Sequence, residues 1–424
     1  MTSTAASTTV IQTRYSGRAE QIYIDICFTL SERIDQVDWA AYTPKDWSVL
    51  ARMAEAEGVA PLMYWNLKDH RSADDQCDVP GLEVPLEIFH RLKASYYNTL
   101  AQNTLMYQEL ERILTALDVA GIPVIVLKGA ALAATLYEDI GLRPMGDLDL
   151  LVEESNYDIA LSIVKSIGYI DEPMLSARLN NVIGFNIHLW KDNYSGIKLE
   201  IHKGLIQSGD GLYAPSMEWF WSHAEHFDKK KKGINCQLDN SLSLSSIANI
   251  VYLSAHQTIQ HDGAQSRLIW HHDIHILVRE AISSQDWRTI IKQAHIFGWS
   301  YGIYYALIMV QTLFQLRIPR YVLGDLYEDQ TPYKAILIDQ KVKSKQTNIS
   351  RFWYTLLMLN WRSRFLFVTA RIFPSNAYLR WFYGFQDNWY WPLYYPYHWS
   401  IMTLKVLGTV KSHTTTYLRN SKRL

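Results

Sequence analysis

The chain has 424 residues, of which 48% are hydrophobic, 20% charged and 13% aromatic; this excludes a mainly disordered polymer and predicts two to four structural units. The formal charge is −1, so no global basic field gathers nucleic acid, and the sequence carries no strong nucleic-acid signal. Cys27, Cys77 and Cys236 stand far apart without a CxxC pair, which fits a reducing compartment better than a disulfide framework.

Met1 to Thr9 lacks the basic start and apolar run of a signal peptide. Five regions are expected in chain order: a flexible tail at 1–20, a helical region at 21–118, an α/β core at 119–240, a helical region at 241–320 and an aromatic-rich region at 321–424. Val49, Leu50, Met53 and Ala54 recur at helical spacing, and a long helix is predicted through Leu100, Leu110 and Leu117, ending near Gly121. A polar, loop-like patch at 69–80 separates the two.

Val124 to Leu127 is β-branched and apolar, bounded by Pro123 and Lys128-Gly129, and reads as a buried strand. Ala130 to Tyr137 reads as a helix, Asp147 to Val152 as a second strand, and Tyr157 to Ile167 as a helix closed by Gly168. Phe185 to Trp190 and Ile197 to His202 read as strands joined by a turn at 191–196. Lys229 to Lys232 has the character of a solvated hairpin tip between Phe227 and Ile234. Helices are then predicted at 245–260, 266–281 and 286–297.

The uncharged stretch Ala294 to Leu316 is interrupted by His295, Gly298, Gln311 and Gln315, and reads as a buried helix rather than a transmembrane segment. The expected location is therefore cytoplasmic. Trp389 to Trp399 holds seven aromatic side chains besides His398. It reads either as an irregular segment packed over the helical core or as a surface for membrane, sugar or protein.

The chemistry centres on Met145-Gly146-Asp147-Leu148-Asp149-Leu150. Alternation along a strand puts Asp147 and Asp149 on one face, and Glu200 with His202 on one face of another strand. Three such carboxylates repel one another unless a cation offsets them, so the metal-free fold should be destabilised and their pKa values raised. Mg²⁺ (or Mn²⁺) is the expected cofactor, since hard cations take oxygen ligands and two metals serve in-line phosphoryl displacement. Lys128 and Gly129 stand where a strand meets a helix start, a place suited to a triphosphate, and Lys128 reads equally as an exposed lysine there. Arg143 has the chemistry to clamp phosphate or to pair with Glu138 or Asp139. His188 and His202 read as histidines satisfied by ordinary hydrogen bonds rather than as ligands, with partnership to the acids as the alternative. His271-His272-Asp273 with His275 reads as helix packing and hydrogen bonding rather than a zinc site.

Taken in order, Leu127-Lys128-Gly129, Leu136-Tyr137, Arg143 to Val152 and Leu199-Glu200-Ile201-His202 resemble the uncharacterised nucleotidyltransferase family of bacterial biosynthetic clusters. That family is placed in the polymerase β superfamily, whose pattern is a glycine turn, an Asp-x-Asp or Asp-x-Glu, and a later third carboxylate. His256, Trp270 to Asp273, Asp286-Trp287 and Arg371 to Pro374 are similar to its flanks. Gly129-Ala130 departs from the usual Gly-Ser or Gly-Gly, and the interval to Asp147 is longer than usual.

The resemblance implies an α+β fold, a small mixed β-sheet core flanked by N-terminal and C-terminal helical regions. It implies transfer of a nucleoside monophosphate from an NTP to an acceptor hydroxyl with release of pyrophosphate. Asp147, Asp149 and Glu200 would be catalytic and metal-binding, and Lys128, Gly129 and Arg143 nucleotide-binding. The acceptor stays open among small molecule, peptide and protein. A toxin-like transfer of AMP to protein and a degenerate nucleotide-binding or scaffold protein are the alternatives.

Overall fold

The computed structural model describes residues 15–68, 70, 79–176, 178–180, 184–191, 196–206, 216–227, 240–261, 266–279, 283–328, 348–385 and 391–404. Cys77, Cys236, the 192–195 turn, the lysine run at 229–232 and most of the 69–80 patch lie outside the described residues. The chain divides into two compact units: Met1–Asp171, Asn186–Ile206 and Tyr213–Lys345 form the first, while Glu172–Phe185, Gln207–Leu212 and Gln346–Leu424 form the second.

The first unit is α+β. It opens with α1 (Arg18–Leu30), α2 (Pro44–Ala56), α3 (Ala60–Lys68) and α4 (Leu86–Val119). Thr43 and Asp46 cap α2 reciprocally, each side chain meeting the other's backbone N–H, and Pro44 sits at the first helical position. Then come β1 (Val124–Leu127), α5 (Lys128–Thr135), β2 (Leu148–Val152), α6 (Tyr157–Ser166), β3 (Tyr169–Asp171), β4 (Asn186–Lys191), β5 (Lys198–His202), α7 (Glu218–Ser222), β6 (Ala224–His226) and β7 (Ser241–Leu244). The unit closes with α8 (Ser246–Ala255), α9 (Leu268–Arg279), α10 (Ser284–Phe297), α11 (Ser300–Phe314) and α12 (Arg320–Glu328).

The seven strands form one mixed sheet in the order β3-β4-β5-β2-β1-β7-β6. β2 runs antiparallel to β1 and parallel to β5, and β4 returns antiparallel beside β5. Alternation sorts the central strands into two faces. Val124, Val126, Leu148, Leu150, Val152, Leu199 and Ile201 join a core with Leu110, Ile113 and Leu117 of α4 and Ala160 and Val164 of α6. The intervening residues of β2 and β5, Asp149, Glu200 and His202, therefore belong to the other face. One face packs on α4 and α6, and the other sets these three polar residues beside the buried Ile125, Leu127 and Leu151.

Two elements differ from the sequence reading. β3 is a three-residue edge strand, too short to show a period in sequence. The apolar stretch from 294 is two helices, because Gly298 takes φ 66° and ends α10, and α11 starts anew at Ser300. Most of α11 is buried, and among the described residues no helix is long and apolar enough to cross a membrane.

The second unit holds α13 (Asn348–Met358), α14 (Trp361–Ile372), α15 (Asn376–Tyr383) and α16 over 394–404. The aromatic segment is thus helical rather than irregular from 394 on. Tyr394 and His398 are buried, while Leu393, Tyr397 and Trp399 point outward. Its own small core joins Leu179, Leu359, Phe367 and Ala370.

Candidate metal and nucleotide site

The parallel register of β2 and β5 places Asp149 directly opposite Glu200, and the antiparallel register of β4 and β5 places His188 opposite Glu200. His202 lies two residues beyond Glu200 and so shares its face. Its Nε2 is 2.9 Å from Asp149 Oδ1 and 3.3 Å from Glu200 Oε2. Glu200 also meets His188 Nδ1 at 3.0 Å and accepts from Asn186 Nδ2 at 2.8 Å. Among the described residues, Asp149, Glu200 and His202 are the one group of three whose ligand atoms all lie within 4.8 Å of one another.

Asp147 stands one residue before β2 and borders this group without joining it. Burial raises its carboxyl from the ordinary 3.8 to about 6, and the charges of Asp149 and Glu200 add to the rise. The other two acids go the opposite way. Burial pushes Asp149 up, but the Lys128 ammonium and the His202 hydrogen bond more than offset it and hold the carboxyl below its ordinary range. Burial likewise pushes Glu200 up, and the hydrogen bonds of His188 and His202 overcome it. The expectation of three mutually repelling acids therefore holds for Asp147 alone. Lysine and histidine side chains surround the other two, and strand alternation by itself says nothing of such neighbours.

Lys128 supplies the nearest cation. Its Nζ donates to Asp149 Oδ1 at 2.7 Å, and its own pKa rises because Asp149 outweighs the desolvation that would lower it. The residue has φ 46°, a left-handed conformation rare for a side chain with a Cβ. Gly129 follows it for a different reason. A Cβ built there would stand 2.5 Å from Arg143 Nη1 and 3.1 Å from Met145 Cγ, so only glycine lets the two segments meet.

Arg143 pairs with neither Glu138 nor Asp139. Its Nη2 and Nε donate to the two oxygens of Asp273 in α9, at 2.9 and 3.4 Å, and both partners are buried. Tyr137 donates to the same carboxylate at 2.7 Å and lies 3.1 Å from His272 Nδ1. Asn103 of α4 donates to the carbonyls of Ile140 and Arg143. The long interval between Gly129 and Asp147 is thus pinned from two sides by buried polar groups. Of the histidines of α9, His272 meets the Tyr137 hydroxyl and His275 stacks on Phe314 at 4.5 Å between ring centroids, so packing is the larger part of their role.

Three residues of the helical region face the same ground. Tyr252 of α8 is buried, which raises its hydroxyl, against the Lys128 charge. His256 is kept neutral by burial and by Lys128. Arg267, exposed just before α9, is lowered by burial and by Arg143 and raised by Asp147. His256 is marked in sequence by the family resemblance alone, and Tyr252 and Arg267 by no local motif. Each is brought in by packing of the helical region, more than a hundred residues from Lys128 and Asp147 and at least 50 from Glu200 and His202.

A sequence model of the family described as uncharacterised nucleotidyltransferase matches residues 43–315, more than half of the chain. The chain belongs to that family. The match begins at the Thr43 cap of α2 and ends just after α11, so it takes in the whole sheet and every residue of the site. It leaves out Arg371 to Pro374 and with them most of the second unit. No curated protein matches the chain.

Two carboxylates and an imidazole on adjacent strands form a donor set that suits a divalent cation. The oxygens suit Mg²⁺ or Mn²⁺, and the imidazole is a ligand type shared with the softer transition metals. The ammonium of Lys128 already places one positive charge against Asp149.

Proposed function

We propose that the chain transfers a nucleoside monophosphate from an NTP to an acceptor hydroxyl and releases pyrophosphate, in the manner of the polymerase β superfamily. The direct pairing of Asp149 with Glu200 on adjacent parallel strands, with Asp147 at the strand entrance, is the observation that carries this reading. Asp147, Asp149 and Glu200, joined by His202, would hold Mg²⁺ or Mn²⁺. A bound divalent ion supplies Lewis-acid charge stabilisation at the phosphoryl group.

The acceptor oxygen bonds to the α-phosphorus, the α–β anhydride bond breaks, and pyrophosphate leaves. Glu200 takes the hydroxyl proton, and His188, half exposed beside it, gives that proton a route to solvent. Lys128, which donates to Asp149, would be the ammonium that meets the triphosphate in the loaded site, and the backbone at Gly129 would lie against the same phosphates. Arg143 holds this turn through Asp273, and Arg267 is the guanidinium left exposed to meet phosphate. Catalysis would take place in the first unit, whose helices α8 and α9 shape the acceptor side.

The test is incubation with Mn²⁺ or Mg²⁺ and each α-labelled NTP, reading pyrophosphate release and label transfer to small hydroxyl acceptors, peptide or the protein itself. Release that disappears in Asp149→Asn supports the reading. Label on protein alone would select the AMP-transferring alternative. A second reading is favoured by the Lys128–Asp149 pair together with Ala130: a chain that binds nucleotide without turning it over. Metal-dependent NTP binding with no pyrophosphate release would establish that one.

A further inference from the structure

α14 has two apolar faces where folding needs one. Ser363, Phe367 and Ala370 are its buried face. Trp361, Phe365, Val368 and Ile372 fall within roughly 60° of arc on the opposite side of the helix. Trp361 is 73% exposed, Phe365 67% and Ile372 43%. The stripe runs on into Phe373, 56% exposed, whose ring lies 5.6 Å from that of Trp399 in α16. Trp399 Nε1 donates to the Ile372 carbonyl at 2.7 Å, which fixes the two helices' outer faces side by side.

Charge follows the same segment. Residues 346–424 hold ten lysines and arginines against the single acid Asp387, so this stretch carries +9 while the rest carries −10 within a chain of −1. On α14 basic positions flank the apolar stripe: Arg362 on one side, and on the other Arg364, whose guanidinium donates to the Leu357 and Leu359 carbonyls, and Arg371, which lies over the Phe367 ring. Aromatic and aliphatic groups set between basic positions are the arrangement of an interfacial helix, and Arg362 is an exposed cation beside the stripe.

We propose that the second unit binds an anionic lipid surface, laying the Trp361–Phe365–Ile372 stripe and Phe373 into the headgroup boundary. Ile372 and Leu393 offer nothing to a base or a phosphate but partition into acyl chains, which disfavours a polynucleotide. A second copy meeting through this face would bring two strongly basic segments together, which disfavours self-association. Trp and Tyr with basic residues around them are the composition of membrane–water interfaces. The inference stands apart from the catalytic reading, because it uses no residue of the first unit.

The experiment is co-sedimentation of the full chain with phosphatidylcholine vesicles and with phosphatidylcholine vesicles containing phosphatidylglycerol. The expected result is binding to the anionic vesicles, weakened by salt, with a blue shift of tryptophan emission. The double variant Trp361→Ser, Phe365→Ser should lower the partition coefficient about tenfold or more, since each side chain contributes buried apolar area only when bound. Both side chains are exposed, so the melting temperature should not move. Arg362→Glu should weaken anionic binding and leave any binding to neutral vesicles unchanged. Absence of sedimentation with anionic vesicles, or equal binding by the double variant, overturns the proposal. So does a vesicle-free oligomer that the double variant dissolves, which would assign the face to a second copy.

Discussion

The Lys128 ammonium lies 2.7 Å from Asp149 Oδ1, on a residue whose backbone is held at φ 46°. A strained backbone persists only when its surroundings fix it, and here the ion pair does so. Asp149 thus has a resident cation that is part of the chain, and any metal must compete with it. Lys128→Met should cost at least about 2 kcal/mol of stability, less than the roughly 3–5 kcal/mol of a fully buried broken pair, because some of the lysine side chain is exposed. The same variant should gain more melting temperature from Mn²⁺ than the wild type does, by mass action on a site no longer shared. Equal Mn²⁺ shifts in the two proteins would show that lysine and metal do not compete.

Gly129→Ala tests the close approach directly. The added methyl meets Arg143 Nη1 at 2.5 Å, and Arg143 cannot withdraw without leaving Asp273. The expected loss is about 1–3 kcal/mol in a denaturant melt, the usual range for overpacking. If the variant is as stable as the wild type, the arginine has room that the structure does not show.

Asp273→Ala should be more costly still, at about 3–5 kcal/mol, because it strands the buried Arg143 guanidinium. Tyr137→Phe removes one donor to the same carboxylate and should cost about 1–2 kcal/mol. Since both act on the 140–147 segment, the pair should be non-additive in a double-mutant cycle. Additive effects would separate Tyr137 from the Arg143–Asp273 pair.

The acids are legible in the sequence because strand alternation is a two-residue rule. Asp147-x-Asp149 and Glu200-x-His202 announce a shared face without knowledge of the fold. The β2–β5 neighbourhood that joins those faces is only a conjecture in sequence, and the parallel register supplies it. The partners of Lys128 and Arg143 are not legible. Lys128 has equal claims on solvent and phosphate, and Arg143 has two acids close in sequence. Burial decides both, since a desolvated guanidinium or ammonium goes to a carboxylate that the fold can bring into full contact, and Asp273 arrives from a helix 130 residues away. The second apolar face of α14 is hidden for a related reason. Two opposite apolar stripes cancel in a periodicity reading, and only burial shows which of them is inward.

The acids at the site should differ in the sign of their effect on the metal-free protein. Asp147 is raised from 3.8 to about 6, so the folded chain binds its proton more tightly than the unfolded chain does. Its penalty is absent below about pH 3.8, grows as pH rises toward about 6, and is complete above that. A tenfold change in proton affinity is worth roughly 1.4 kcal/mol, so Asp147→Asn should stabilise the protein at pH 7 to 8 by about 1–3 kcal/mol. This advantage should fade below about pH 4. Asp149 is lowered, so its contribution is favourable above its unfolded value and is lost as pH falls through the lower folded one. Asp149→Asn leaves Lys128 without its carboxylate and should destabilise at about pH 7, by about 2–4 kcal/mol. Melts of wild type and both variants in chelator, from about pH 3.5 to 8, read all of this at once. Stabilisation by both substitutions at neutral pH would mean that the acids repel one another as a group. That result would remove the Lys128–Asp149 pair from its place at the centre of the site.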